Sequence, residues 1–501
     1  MTSVPLASRA EPSSAGKTLL LTSAATFMAF LDTTIVNVAF PALHEDFPKE
    51  SVTDLTWVVT SYGILFAALL TPAGRFADIL GRKKLFLWSV GLFSLASLAC
   101  AVAPNMELLI AARAVQGIGA AGMIPSALGL VLSETPAEKR AEAIGIWGAA
   151  GSMAAAAGPA LGGLLVSEID WRVVFILNVP IGLAVIFGAL RLPTRPVEKT
   201  QLPDLLGTAT VTFGIAGVVV GLTKGGDWGW SAVQTWAWIG AGVLLMAYSL
   251  VRSGKHPAPA VETSLWRTPM FAAANLTAFL LGAGLFVWFL SGPLYLTTIW
   301  HYSVLKAGLA VTPGAVLSAV AAITVGRRLK PEQQRPVVIV AGLAFLGLSI
   351  WAYTGLGSDR EFLALWLPYG ALGGAVIGAA LTSVTTAASI SVHPLKFATG
   401  TGMATTARQF GGSVGVAAMA AVFAAGDLST PQPYLNAFLL AGIFIAAAAI
   451  PAFGMFTKKS MAQIAETQAQ IQAYMRAQAE AAAKAAAAAP SAEGAATADR
   501  G

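Results

Sequence analysis

The chain has 501 residues, of which 56% are hydrophobic and only 11% are charged, and its formal net charge is +6. Soluble domains carry about 25% charged residues. A soluble protein of this length could not bury so much apolar surface, so lipid must be its main solvent. Nucleic-acid binding is also excluded, because the basic residues are spread over short loops and do not form one patch. The single cysteine, Cys100, excludes an intramolecular disulfide framework.

Fourteen apolar segments follow one another along the chain, and each is close to the length of about 20 residues that a membrane-spanning helix needs. The first segment is long enough to span and contains an acid, Asp32, so we interpret it as a retained helix and not as a cleavable signal. The predicted spans are 18–42, 54–74, 84–103, 107–132, 140–166, 172–192, 205–223, 232–251, 269–297, 306–326, 336–354, 362–389, 397–423 and 434–456.

The loops between these spans differ in charge on the two sides of the membrane. One set of loops and ends contains 21 Lys and Arg residues, whereas the alternate set contains Lys49, Arg172, Lys224, Lys306 and Arg360. Short cytoplasmic loops collect basic residues. The sequence therefore predicts that both termini are cytoplasmic, which an even number of spans also requires.

Three charged residues lie well inside predicted spans, away from the span ends: Asp32, Arg113 and Arg408. An intramembrane charge is costly and is by default a functional-site hypothesis. A buried carboxylate whose access alternates can carry a proton, although Asp32 could also be locked in a permanent salt bridge. Arg113 lies at a depth comparable to that of Asp32, so the two could interact, but backbone carbonyls could also satisfy this arginine. Arg408 has no intramembrane acid in the second half to pair with, which favours a structural role.

Five motifs resemble signatures of the major facilitator superfamily. The segment 74–84 (GRFADILGRKK) resembles the loop between helices 2 and 3, although it departs from the usual pattern at Phe76 and Ile79. Segments 113–119 (RAVQGIG) and 158–163 (GPALGG) resemble the helix 4 signature and the helix 5 antiporter signature. Segment 31–41 (LDTTIVNVAFP), together with 170–172 (DWR) and Asn178, is similar to helices 1 and 6 of the fourteen-helix drug:proton antiporter branch.

The resemblance implies an all-α integral membrane fold with 14 transmembrane helices, in which two six-helix bundles carry two inserted helices between them. It implies a cytoplasmic N-terminal segment (1–17), an N-terminal bundle (18–192), inserted helices with linkers (193–268) and a C-terminal bundle (269–456). An Ala-rich and partly disordered cytoplasmic tail (457–501) follows. We expect a monomer that works by rocking-bundle alternating access.

The resemblance also implies the roles of individual residues. Asp32 would carry the coupling proton and Arg113 would modulate it. A cytoplasmic latch would contain Gly74, Asp78, Gly81, Arg82 and Lys83, with Gly74 allowing span 2 to approach span 13. Small residues let helices approach closely and proline permits a bend, so Gly158, Pro159, Gly162 and Gly163 would form a hinge or seal between the bundles.

Aromatic and polar residues within the spans are candidates for the substrate cavity, because aromatic faces suit flat cationic ligands. The candidates are Trp57, Tyr62, Gln116, Asn275, Trp288, Tyr295, Tyr369, Arg408 and Gln409.

These features predict a proton-coupled antiporter of the bacterial cytoplasmic membrane that exports lipophilic, cationic drugs or toxic compounds. Substrate and proton would compete around Asp32, the proton gradient would supply the energy, and no cofactor or metal would be needed. Its partners would be these substrates, protons and membrane lipids. A dedicated exporter of one secreted metabolite or antibiotic, or a lipid transporter, are the alternatives. An enzyme or a sensor is not expected, because the sequence has no nucleotide-binding loop, metal-ligand cluster or signalling domain.

Overall fold

A computed structural model describes residues 12–136, 139–194, 204–392, 397–462 and residue 466. The regular secondary structure of these residues is helical, which agrees with the predicted all-α class. Most of the predicted N-terminal segment and most of the predicted Ala-rich tail lie outside the described residues. The boundaries of the five predicted domains stay predictions.

Each of the fourteen predicted spans coincides with at least one helix. The helices are α1 (Pro12–Asp46), α2 (Val52–Leu55), α3 (Trp57–Leu80), α4 (Arg82–Ala101), α5 (Met106–Glu134), α6 (Arg140–Glu168), α7 (Val173–Ile176), α8 (Asn178–Leu190), α9 (Leu205–Trp228), α10 (Val233–Ser253), α11 (Pro269–Thr298), α12 (Val304–Arg328), α13 (Pro331–Gly355), α14 (Leu367–Ile390), α15 (Phe397–Ala424), α16 (Gln432–Ala447) and α17 (Ala449–Ala452). A 3-10 helix (Thr263–Arg267) precedes α11, and a π-helical turn (Phe362–Trp366) leads into α14.

Eleven helices among the described residues are long and apolar enough to cross a membrane. The count of fourteen spans stays a prediction, because α3, α6 and α15 are not among these eleven helices. The predicted loop at 74–84 is wrong in one respect. α3 continues to Leu80 and α4 begins at Arg82, so the connection is the single residue Gly81. Gly81 has φ 89°, a conformation that glycine adopts without strain. Hydropathy marked the end of the lipid-facing segment, and the helix continues beyond it.

Two groups of helices pack mainly among themselves, and the inserted pair joins them. In the first half, α5 packs against both α3 and α4, and α1 packs against α6. In the second half, α11 packs against α15 and α12 against α14. α9 packs against α10 and also against α3 and α15, so the inserted pair touches both halves.

The apolar core shows which side of the molecule is closed. We call the side where α1 ends the Asp46 side, and the side of the α3–α4 connection the Gly81 side. On the Asp46 side one apolar cluster joins the halves, with Phe40 and Leu43 of the first and Leu294 and Tyr295 of the second. A separate cluster on the Gly81 side contains only first-half residues, such as Met28, Phe66 and Phe86. The structure is therefore closed between the halves at the Asp46 side, which is the predicted extracellular side.

Candidate functional site

The centre of the first half holds an ion pair that is fully shielded from solvent. Asp32 of α1 is 0% exposed and Arg113 of α5 is 1% exposed, and Arg113 Nη1 lies 2.5 Å from Asp32 Oδ2. Arg113 Nε also donates to the Val58 carbonyl at 2.9 Å. The sequence left open whether Arg113 meets Asp32 or backbone carbonyls, and in the structure it contacts both. A buried charge is tolerated when it is paired and hydrogen-bonded, and both conditions hold here.

Two amides complete the environment of the Asp32 carboxylate. Gln116 Nε2 donates to Asp32 Oδ1 at 2.9 Å, and Asn178 Nδ2 donates to the same oxygen at 3.0 Å. Both amides also donate to Ser97 Oγ, at 3.1 and 2.9 Å, and Ser97 in turn donates to the Phe175 carbonyl. Asp32 therefore accepts three hydrogen bonds from α5 and α8. We call the following five residues the Asp32 cluster: Asp32, Ser97, Arg113, Gln116 and Asn178.

Aromatic rings cover the guanidinium of Arg113. Its Cζ lies 4.4 Å from the centroid of the Tyr62 ring and 5.6 Å from that of Phe175, distances at which the ring quadrupole attracts a cation. Tyr62 and Gln116 were predicted to line the substrate cavity. The structure instead buries both inside the first half, because their helices turn these side chains toward Asp32.

Sequence reasoning missed Ser97 and did not assign a role to Asn178. Asn178 is a polar residue within an otherwise apolar span and belongs to the motif at the start of helix 6, so a signal was present. Ser97 lies in α4 among several other serines, and nothing in the sequence distinguishes it from them.

A small cavity lies between the two halves, toward the Asp46 side. Its volume is about 50 Å³, which is enough for a few water molecules. Its wall comes from α1, α6, α11, α12 and the segment around α14. The lining residues are Thr34, Asn37, Val38, Pro159, Trp288, Phe289, Gly292, Pro293, Val311, Ala315, Trp366 and Gly370.

Of the predicted cavity residues, only Trp288 lines this cavity. Tyr295 is buried and donates to the Gly357 carbonyl at 2.7 Å, and Tyr369 is buried among Trp288, Trp366 and other rings. Both side chains pack against other aromatic rings in the core of the second half. Neither lines the cavity.

The other predicted cavity residues also lie elsewhere. Trp57 packs against the apolar cluster that α3, α9 and α15 form. Asn275 is buried in α11 and donates to the Phe271 carbonyl at 2.9 Å, and Gln409 is buried in α15. Arg408 is half-buried, and no carboxylate pairs with it among the described side chains. Their depth in the membrane could be predicted from the spans, but the rotation of their helices could not.

The predicted antiporter segment of α6 makes close contacts with α1 and with the other half. Gly158 faces Thr34 and Gly162 faces Ile35, both of α1. A Cβ at Gly163 would lie 3.2 Å from the Leu305 Cα of α12, and a Cβ at Gly308 would lie 2.5 Å from the Pro159 carbonyl oxygen. Only glycine allows so close an approach. The segment forms part of the closure at the Asp46 side.

The predicted latch residues bind within the first half in this conformation. Arg82 Nη1 donates to the Gly129 carbonyl of α5 at 3.0 Å, and Lys83 Nζ donates to the Leu190 and Leu192 carbonyls at 2.9 and 2.5 Å. A Cβ at Gly74 would lie 4.0 Å from the Pro125 Cβ of α5. α3 does pack against α15, and the role of Gly74 in that approach stays a prediction. The Asp78 side chain lies outside the described residues.

A polar clamp holds the end of α1 on the Asp46 side, outside the spans. Trp171 Nε1 and Arg172 Nη1 each donate to Asp46 Oδ2 at 2.8 Å. The hydrogen bond from Trp171, followed by that from Arg172, lowers the pKa of Asp46 below its ordinary value against the effect of partial burial. The clamp fixes α1 relative to the start of α7, and so fixes the helix that carries Asp32.

Comparison with known proteins gives the same architecture. Residues 22–416 match the family described as Major Facilitator Superfamily. The chain is 33% identical to the cephamycin export protein CmcT of Amycolatopsis lactamdurans, over 90% of this chain and 95% of that protein. It is 32% identical to the multidrug resistance protein Stp of Mycobacterium tuberculosis, over 84% of this chain and 78% of that protein. The solved D-xylose-proton symporter is similar in fold, with a TM-score of 0.63 at 12% identity, over 87% of this chain and 96% of that one.

Proposed function

The chain belongs to the major facilitator superfamily and is a multi-pass membrane transporter of small molecules, not an enzyme. We propose that it is a proton-coupled antiporter that exports lipophilic drugs or antibiotics. It would act in the bacterial cytoplasmic membrane with both termini in the cytoplasm. The relatives named for antibiotic export and multidrug resistance support the substrate class.

The observation that carries the proposal is the Asp32 cluster. Asp32 is a carboxylate within a spanning helix, and its three hydrogen-bond donors all come from other helices, α5 and α8. To take up a proton, Asp32 must lose the ion pair with Arg113, which requires α1 to move relative to α5. Protonation and helix movement are thus linked, and such a linkage is what antiport by alternating access requires.

The cavity supports a lipophilic substrate. Its wall is aromatic and aliphatic apart from Thr34 and Asn37, and the size of the cavity fits a conformation closed on the Asp46 side. No carboxylate lies among its lining residues. A preference for cationic substrates, and direct competition between substrate and proton at Asp32, stay predictions that this geometry does not favour.

Export of one secreted antibiotic is the second candidate. The similarity to a cephamycin export protein over nearly the full length of both chains favours it. Resistance to several unrelated compounds in cells expressing the protein would support multidrug export, whereas resistance to one compound would support the dedicated exporter. Transport of labelled phospholipid between leaflets would support the lipid-transporter alternative.

The antiport proposal is tested with Asp32→Asn in proteoliposomes. We expect substrate-induced proton release, followed with an internal pH dye, to disappear in this variant. Glu107→Gln is the matched control, because Glu107 is an exposed carboxyl group near the start of α5. Proton release that persists in Asp32→Asn would remove Asp32 from the coupling mechanism.

A further inference from the structure

One polar group of the cavity wall is an amide whose oxygen accepts no hydrogen bond from the residues that the structure describes. Asn37 lines the cavity and is 3% exposed, and its Oδ1 has no hydrogen-bond partner among the described residues. Thr34 is the other polar residue of the wall, but its hydroxyl already contacts the carbonyl of Leu31 at 3.1 Å. Leaving a buried polar atom unpaired costs free energy. A ligand that supplies the missing partner would recover that cost.

Asn37 and Asp32 lie on different faces of the same helix. An α-helix turns about 100° per residue, so the five-residue separation places Asn37 about 140° around α1 from Asp32. The contacts agree with this geometry. Asp32 faces α5 and α8 within the first half, whereas Thr34, Asn37 and Val38 face the space between the halves. The proton site and the cavity are therefore separated by the body of α1.

We propose that the Asn37 amide binds the transported molecule, and that this molecule is a lipophilic aromatic compound with an uncharged hydroxyl or amide group. The inference rests on the proposed export function and deepens it. Trp288, Phe289 and Trp366 supply apolar and aromatic surface for the body of the ligand, and Asn37 supplies an NH2 donor group and an oxygen acceptor for its polar group. The cavity lies between the halves, so it widens when they separate.

This assignment predicts discrimination against lipophiles that cannot form hydrogen bonds. A bound molecule without a polar group would leave the Asn37 amide unpaired and would remove it from any water, so its binding would be penalised. Because Asp32 lies on the other face of α1, substrate binding and protonation act on each other through the position of this helix. They do not compete for the same atoms.

The test uses chloramphenicol, a neutral aromatic compound with amide and hydroxyl groups, and tetraphenylphosphonium, a cation without hydrogen-bonding groups. Binding to the purified full-length protein is measured by calorimetry. We expect wild type to bind chloramphenicol more tightly than tetraphenylphosphonium. Asn37→Leu should weaken chloramphenicol binding about tenfold, which corresponds to one hydrogen bond to a buried amide. Thr33→Val is the matched control on the same helix and should change binding less than about twofold, because Thr33 does not line the cavity and its hydroxyl donates to the Ala29 carbonyl.

The thermal stability of the unliganded protein separates ligand binding from a structural role. Replacing an unpaired amide with an apolar group of similar size should leave Tm unchanged or raise it, whereas a structural hydrogen bond would lower it. Wild type that fails to bind chloramphenicol, wild type that prefers tetraphenylphosphonium, or Asn37→Leu that binds chloramphenicol normally would each overturn the inference.

Proton measurements separate this inference from the proposed function. Asp32→Asn should still bind chloramphenicol while it loses proton release. Binding that depends on Asn37 without any proton release in wild type would overturn the antiport proposal and leave the Asn37 site in place. Proton release driven by tetraphenylphosphonium and unchanged in Asn37→Leu would support antiport and overturn the Asn37 site.

Discussion

At the residue scale, the Asp32–Arg113 pair holds two charges that are costly apart and tolerated together. Each is essentially fully buried, and the desolvation of either alone would exceed what neutral hydrogen bonds return. The pair adds no net charge to the first half. Arg408 in the second half has no such carboxylate among the described side chains, and it is only half-buried.

Removing one partner of this pair should cost more stability than removing both. We expect Asp32→Asn and Arg113→Gln each to destabilise the purified protein by about 3–5 kcal/mol, because each leaves one uncompensated buried charge. The double variant should be less destabilised than either single variant, since its site is neutral again. Thermal unfolding in detergent measures the effect. Additive losses in the double variant would show that the two side chains do not depend on each other.

The residue scale also shows how far the sequence alone could be interpreted. Depth along a span placed Asp32 near Arg113, and the structure agrees. Depth along a span could not identify Ser97. It also led us to place Tyr62 and Gln116 at the cavity, because depth does not determine how a helix is rotated about its axis. In the sequence, Asn37 was only one residue of the motif at 31–41, and no role was assigned to it. Its role emerges when α1 is seen to turn it toward the second half.

At the element scale, hydropathy located the helices well and their ends poorly. The predicted second span ended at 74, but α3 runs to Leu80, and the charged segment is helical except at Gly81. The single predicted sixth span is two helices, α7 and α8, with Asn178 at the start of the second. Charged residues end a lipid-facing segment without ending a helix, so a hydropathy profile could not predict these boundaries.

The end of α8 provides a test of one predicted latch residue. The Lys83 ammonium donates to the Leu190 and Leu192 carbonyls, which have no partner within the helix and carry the negative end of its dipole. Lys83→Met should therefore lower stability by about 1–2 kcal/mol. Lys84→Met is the control, since Lys84 is exposed on the same turn of α4. Equal Tm values for the two variants would show that Lys83 contributes nothing to holding α8.

At the scale of the whole molecule, a large apolar cluster joins the two halves on the Asp46 side, and a smaller cluster joins α3 and α15 through α9. The first half keeps a separate core on the Gly81 side. The inserted helix α9 packs against α3 and α15, one helix from each half. It therefore lies along the line where the halves meet. The resemblance predicted the two bundles and the inserted pair, but no sequence pattern could predict which side would be closed, because alternating access requires one sequence to adopt both states.

The contact between α6 and α12 should control this closure. A Cβ at Gly308 would lie 2.5 Å from the Pro159 carbonyl oxygen and 3.0 Å from the Gly163 Cα, whereas a Cβ at Gly326 of the same helix would meet only Thr382 at an ordinary 3.6 Å. Overpacking a tight contact costs about 1–3 kcal/mol. Gly308→Ala should therefore shift the population toward a state open at the Asp46 side, and Gly326→Ala should not.

Spin labels at Glu107 and Asp359, exposed residues of the two halves on that side, would report the distance between the halves in a background with Cys100→Ser. We expect a longer distance and slower export in Gly308→Ala. An unchanged distance distribution together with normal export would show that the halves close on the Asp46 side without this contact.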